Sequence, residues 1–299
     1  MKLDTLRASV TARIVKALEA GVKPWSAGWD RSQAFCRPLR HNGKPYRGIN
    51  VLMLWMSAHQ HEFQSPYWMT YREAAAVGAQ VRKGSKGTQV IIYKPIVDET
   101  PDGETEEPTR GFSKAYAVFN ADQIDGLADH YYPASSAEPT ARSHDPLAAY
   151  SALMAVHKPK YEEGPQPCYI PARDVVKWPN ISVFHTPADQ LATVCHELAH
   201  WSGARSRLAR AGIVEPFEKT RYAYEELVAD LAAAFMGASF GILGEQFDNH
   251  ASYIATWIEL LSDNSVIFKA AAEAERVCDF LLTPAVLDQA ECSDFLDAA

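Results

Sequence analysis

The segment Thr186-Pro187-Ala188-Asp189-Gln190-Leu191-Ala192-Thr193-Val194-Cys195-His196-Glu197-Leu198-Ala199-His200 reads as a helix carrying an H-E-x-x-H pattern. Thr186 suits the N-cap, Pro187 the first helical position, and Asp189 the N3 position, where its charge complements the helix dipole. Leu191, Val194, Cys195, Leu198 and Ala199 recur at helical spacing, and Gly203 supplies a stop. Residues four apart on a helix share a face, so His196 and His200 can present two imidazoles to one Zn²⁺. Glu197 then stands beside the metal, where its carboxylate can accept a proton from an activated water, as metal-assisted hydrolysis requires.

A catalytic zinc takes three protein ligands, and the candidate for the third lies in Tyr222-Ala223-Tyr224-Glu225-Glu226-Leu227-Val228-Ala229-Asp230. Glu226 and Asp230 are four apart on a second helix, and their E-x-x-A-D pattern resembles that of the glutamate-ligand zincins. The resemblance implies that Glu226 binds the metal and that Asp230 orients a histidine by accepting its other N–H. Glu225 competes for the ligand role, but on a helix it points about 100° away from Glu226.

The resemblance extends along the chain. Asn42-Gly43-Lys44-Pro45-Tyr46-Arg47-Gly48-Ile49-Asn50, Trp68-Met69-Thr70-Tyr71, Gly78-Ala79-Gln80-Val81-Arg82-Lys83-Gly84 and Val118 to Ile124 carry it in the first half. His196 to Gly203, Arg207-Leu208, Tyr222 to Asp230 and Asn249 to Ile254 carry it in the second. These stretches resemble the plasmid-borne ArdC-type antirestriction proteins, whose relatives include the N-terminal parts of some plasmid primases. The resemblance implies an α+β protein in which a mixed N-terminal single-stranded-DNA-binding domain joins a mostly helical zincin-like metallopeptidase domain with a small sheet. It also makes Tyr222, Tyr224, His250 and Tyr253 candidates to stabilise a transition state.

Composition agrees with two soluble domains, since 299 residues at 47% hydrophobic content suffice for two ordinary cores. A stretch rich in Pro, Ser, Ala and Thr before Pro146 divides the chain into a domain at 1–130, a linker at 131–146 and a domain at 147–299. The five cysteines show no C-x-x-C spacing and read as reduced thiols of a protein in a bacterial cytoplasm. No apolar run approaches the roughly 20 residues of a membrane span. Val10, Ile14 and Leu18 make the N-terminus an amphipathic helix.

Charge is divided unequally. Residues 1–130 hold 17 Lys and Arg against 14 Asp and Glu, whereas residues 131–299 hold 12 against 23. Six of the N-terminal acids fall in one loop, Asp98 to Glu107, and outside it the first half is strongly basic. Aromatic residues interleave with these bases, a composition suited to single strands, whose unpaired bases stack on exposed rings while a basic groove follows the phosphates. The candidate DNA contacts are Trp25, Trp29, Lys44, Tyr46, Arg47, Asn50, Trp68, Tyr71, Arg72, Arg82, Lys83 and Lys86. Trp55, inside the apolar run Ile49 to Trp55, reads as core.

Thr70-Tyr71-Arg72-Glu73 is a capping box opening a short helix. Gln80 to Tyr93 reads as two strands around a basic Gly-containing turn, and Phe112 to Phe119 as a further strand across the acidic loop. Leu147 to Val156 reads as a helix, Val175-Val176 and Ile181 to Phe184 as short strands, and Phe247 to Leu261 and Val266 to Leu282 as helices. The strand just before the zinc helix is a place where an extended peptide could pair by edge addition.

These readings combine into an antirestriction function: binding and protection of single-stranded plasmid DNA during conjugation, with a zinc-dependent peptidase, or one using Mn²⁺ or another divalent ion, as a second activity on an unidentified protein. The alternative is a non-enzymatic protein that coats DNA or binds a restriction-modification enzyme, its metal structural.

Overall fold

Leu6, Val10, Ile14 and Leu18 recur every four residues, and all four are buried along one face of α1 (Leu3–Glu19). The computed structural model describes residues 3–25, 36–96, 110–132, 145–242 and 251–291. Trp29, His250, the acidic loop and most of the expected linker lie outside the described residues.

The first half continues with β1 (Leu39–Arg40), α2 (Ile49–His61), β2 (Tyr67–Met69), α3 (Tyr71–Ala76), β3 (Gln80–Val81), β4 (Thr88–Ile96), β5 (Arg110–Asn120) and β6 (Ile124–Asp125). β4 and β5 pair antiparallel, with Thr88 opposite Val118 and Ile96 opposite Arg110, inside a four-stranded sheet of order β1-β2-β5-β4. Two strands do flank the basic turn between Gln80 and Tyr93, but they do not pair with each other. β3 pairs instead with β6 in a separate two-stranded sheet, because the turn at Arg82 to Gly87 carries the chain from one sheet to the other. α3 has the expected cap: the Thr70 hydroxyl accepts from the Glu73 N–H, and the Glu73 carboxylate accepts from the Thr70 N–H. α2 buries an unbroken run from Val51 to Ala58, Trp55 included.

The second half comprises α4 (Pro146–His157), β7 (Lys160–Glu163), β8 (Cys168–Ile170), β9 (Val175–Trp178), α5 (Pro187–Ser202), α6 (Ala211–Val214), α7 (Lys219–Phe240), α8 (Ala251–Leu260), α9 (Val266–Leu281) and α10 (Pro284–Glu291). Its sheet has the order β7-β9-β8. Ile181 to Val183 form a 3₁₀ turn rather than a strand, with the Asn180 side chain capping it through the Ser182 N–H. The last strand before α5 among the described residues is therefore β9, which is central in its sheet, with β7 and β8 as the outer strands.

One apolar cluster draws on both halves of the chain. Residues of α1 and α2 share it with α4, α5, α7, α8 and α9, and Trp25 packs on Trp257 with ring centroids 5.9 Å apart. Buried polar contacts also join the two halves. Arg37 Nη2 meets the Glu275 carboxylate, and Glu275 Oε2 also accepts from the Gly48 N–H at 2.8 Å.

Candidate metal centre

α5 starts with a full capping box: the Thr186 hydroxyl accepts from the Asp189 N–H, and Asp189 returns a bond to the Thr186 N–H. At its other end, Gly203 has φ −77°, so the residue is not needed for a left-handed turn. A Cβ there would lie 2.7 Å from Ile213 and 2.8 Å from Arg210, so Gly203 serves close packing.

α5 and α7 pack together, and the packing brings both motifs to one point. His196 Nε2 and His200 Nε2 are 3.2 Å apart, and each lies 3.6 Å from one oxygen of Glu226. Suitable donor atoms of these three residues all fall within 4.8 Å of one another. All three are buried. Asp230, one turn beyond Glu226, sits 3.3 Å from His196 Nδ1.

Glu225 has a role that spacing alone did not assign. Being rotated about 100° from Glu226, it faces away from the metal position and toward the other histidine. Its Oε1 lies 3.2 Å from His200 Nδ1, so each imidazole has its own carboxylate behind it. Each carboxylate in turn has a buried cation. Arg210 donates to Glu225 from Nε at 3.0 Å and Nη2 at 2.6 Å, while Lys23 Nζ lies 3.2 Å from Asp230. Arg210 is recognisable only through the fold, since nothing in its sequence neighbourhood marks it. Gly212 lets α6 approach, since a Cβ there would meet Glu225 Cβ at 2.5 Å.

Glu197 is 6% exposed and one carboxylate oxygen, Oε2, has no hydrogen-bond partner among the described residues. Burial pushes its pKa up, partly offset by His196 and His200 and, least, by the Tyr169 backbone in β8. Burial alone would raise Glu226, but the two histidines hold it well below the usual carboxylate range. Burial opposes charge on both imidazoles, yet the carboxylates outweigh it: Asp230 and Glu226 hold His196 up, and Glu225 and Glu226 hold His200 up. Counted with all acids ionised, Glu197, Glu225, Glu226 and Asp230 face two cations, Lys23 and Arg210, so neutral imidazoles and one divalent ion balance the buried charge. The donor set and the unpartnered Glu197 oxygen both fit such an ion.

Two family models match the chain: the N-terminal domain of anti-restriction factor ArdC over residues 4–119, and a zincin-like metallopeptidase over residues 149–273. An uncharacterized protein of Sinorhizobium fredii, y4eC, is 33% identical over 91% of this chain and 90% of its own length. The crystal structure of the antirestriction ArdC protein from plasmid R388 in its metal-free form superposes with a TM-score of 0.75 at 37% identity, covering 95% of this chain and 97% of that one. The chain belongs to the ArdC antirestriction family. The Mn(II)-bound structure of R388 ArdC has the same TM-score at 35% identity. A DNA primase TraC of Escherichia coli is 35% identical over 91% of this chain, which spans about a quarter (26%) of that primase's length.

In this ArdC-family chain the transition-state candidates separate. Tyr222 and Tyr253 have ring centroids 6.0 Å apart, and burial together with Glu226 raises both phenols, so they flank the metal ligand. The Tyr224 phenol is raised by burial first, then by Glu273 on α9 and by Glu225.

The DNA candidates separate as well. Trp25, Tyr46 and Trp68 are core residues at 0%, 2% and 1% exposure, so the expectation that they stack on bases is corrected: apolar packing on α2, α8 and the β-sheet takes their faces. Asn50 is held by the Ile91 backbone, donating to its carbonyl and accepting from its N–H, and Arg47 is tied to Asp279 and Glu275. Lys44 and Arg72 are exposed. Tyr71, 51% exposed, lines a groove of about 680 Å³ with Gln80, Arg82, Lys83, Gly84 and Ser85. Lys86 is exposed at the end of the same turn, whose Gly84 has φ +89°. Among the described residues no helix is long and apolar enough to cross a membrane.

Proposed function

We propose that this chain protects incoming plasmid DNA during conjugation by binding its single strand, and that it carries a metal-dependent peptidase as a second activity. The observation that carries the enzymatic half is Glu197, buried beside His196, His200 and Glu226 with an oxygen free to take a proton. His196, His200 and Glu226 would hold Zn²⁺, with Mn²⁺ the alternative in view of the R388 relative. The ion would supply Lewis acidity toward a water and a peptide carbonyl. Asp230 and Glu225 hold the two imidazoles with Nε2 toward the ion, Glu197 takes the proton at Oε2, and Tyr222 and Tyr253 stand where they could donate to a developing negative charge. The peptide would lie along β8, the outer strand of its sheet that packs against α5. A restriction-modification enzyme in the bacterial cytoplasm is the class of protein this reading makes the target.

The test pairs elemental analysis with a peptide-library cleavage screen and a transfer assay into restricting hosts. Wild type cleaves; Glu197→Gln keeps its metal and does not. Absence of cleavage by both, with protection intact, would replace this reading by a non-enzymatic protein with a structural metal.

For DNA, the groove beside Tyr71 joins an exposed ring to Lys83 and to Arg82, which pairs with Asp125 in the same lining, and exposed Lys86 follows in the same turn. Full-length protein should bind single strands more tightly than duplex, because only unpaired bases offer a face to Tyr71. Each phosphate neutralised contributes a log-log salt slope of about −0.7, so Lys83→Ala/Lys86→Ala should flatten the slope. Tyr71→Ala should weaken binding by about 1 to 3 kcal/mol with the slope nearly unchanged. Fluorescence anisotropy across a salt series checks this; equal affinity for single strands and duplex would refute the groove assignment.

A further inference from the structure

We infer that Lys23, which precedes the metallopeptidase-like region by more than a hundred residues, is a positioning residue of the metal centre, acting through Asp230 on His196. This inference rests on the metal reading of the site.

The observations are geometric. Asp230 is fully buried at 0% exposure and lies between two groups: His196 Nδ1 at 3.3 Å from Oδ1, and Lys23 Nζ at 3.2 Å from Oδ2. Lys23 is itself 7% exposed. Its ammonium sits 5.6 Å from the centre of the Trp257 ring, and that ring is fixed by its Nε1–H bond to the Ala223 carbonyl at 2.8 Å. Trp25, two residues on, packs against the same ring. The segment Lys23 to Trp25 is thereby anchored on α7 and α8, and the ammonium is held where it is.

The chemistry follows from burial. An ionised carboxylate in an apolar interior is costly unless a countercharge stands near it. Lys23 supplies that countercharge on the Oδ2 side of Asp230 while Oδ1 faces His196 Nδ1, so the carboxylate is held on the side of the ring away from Nε2, the atom nearest His200 and Glu226. Arg210 stands behind Glu225 and His200 in the same order, so each histidine has a carboxylate and then a cation behind it. One of the two cations comes from the helical half, and the other from the segment following α1. The zincin-like match over residues 149–273 contains the three ligands but not Lys23. In this chain the metal centre is thus completed by its N-terminal region.

The test is the dissociation constant of Zn²⁺ for the full-length protein, read by competition with a chromophoric chelator, with far-UV circular dichroism confirming the fold. Lys23→Met should weaken Zn²⁺ binding by about tenfold or more, within the range for groups behind a metal ligand. Asp230→Asn should weaken it comparably, and the double variant should bind no more weakly than Asp230→Asn alone, because Lys23 acts through that carboxylate. Lys23→Arg, which keeps the charge, should stay within about threefold of wild type; should Lys23→Met not fold, this variant decides alone. The proposal is overturned if Lys23→Met binds Zn²⁺ as wild type does, if its effect adds in full to that of Asp230→Asn, or if Lys23→Arg loses the metal. Failure of wild type to bind Zn²⁺ or Mn²⁺ at all would instead remove the metal reading on which the inference stands.

Discussion

Glu225→Ala is expected to cost about 3–5 kcal/mol of folding stability, the range for breaking a buried ion pair by removing one partner. Arg210 is 7% exposed and is fastened by more than Glu225: Nη1 donates to Ser202 Oγ at 2.8 Å and Nη2 to the Ala199 carbonyl at 2.5 Å. Without Glu225 the guanidinium stays trapped in the interior with its charge uncompensated, so it cannot recover hydration by swinging out. His200 loses the carboxylate that fixes its orientation, and Zn²⁺ affinity should fall about 10 to 100-fold. Urea unfolding in chelator reads the first effect and a Zn²⁺ competition titration the second. Helical spacing alone predicts almost no effect at this position, because a residue pointing about 100° from the ligand looks uninvolved. A stability change within about 0.5 kcal/mol, the ordinary size for a surface substitution, would show that the Glu225–Arg210 pair is not closed in solution.

Glu275→Ala should have a comparable effect, about 3–5 kcal/mol, at the junction of the two halves. Glu275 is 7% exposed and Arg37 8%. The carboxylate binds Arg37 Nη2, accepts from the Gly48 N–H and receives Arg47 Nε at 3.5 Å, while Arg37 also lies over the Phe235 ring at 5.0 Å. Truncation therefore strands a buried guanidinium and a backbone donor together. Replacing both partners, as in Arg37→Met/Glu275→Leu, should recover part of the loss, because the desolvation of both charges is then avoided. Urea midpoints of the two variants decide it. If the single variant unfolds first in one half while the other keeps its own cooperative transition, the shared core does not couple the halves as the packing indicates.

Local elements were legible because their determinants are local. Capping residues Thr70 and Thr186, the four-residue recurrence in α1 and the H-E-x-x-H spacing on α5 each act within a turn or two of the residues that encode them. Short strands were less legible. Ile181 to Val183 has an apolar, β-branched composition, yet Asn180 caps it as a 3₁₀ turn, and Gln80-Val81 pairs with residues beyond β5 rather than across its own turn. Pairing partners are a property of the sheet, and composition near one strand does not contain them.

The sequence by itself determined the helix that carries His196, Glu197 and His200 and the downstream helix that offers Glu226 and Asp230, because periodicity and capping are short-range constraints. Only the tertiary structure decided which of the first-half aromatics are core and which remain open: Trp25 and Trp68 resemble Tyr71 in composition of surroundings, but burial depends on what packs against them from elsewhere. It also decided the second layer of the metal centre. Glu225 finds His200 through the crossing of α5 and α7, Arg210 reaches it through the short helix that Gly212 allows to approach, and Lys23 arrives from 207 residues away in sequence. Buried charges must be matched where the chain closes on itself, and that place is set by packing of the whole core.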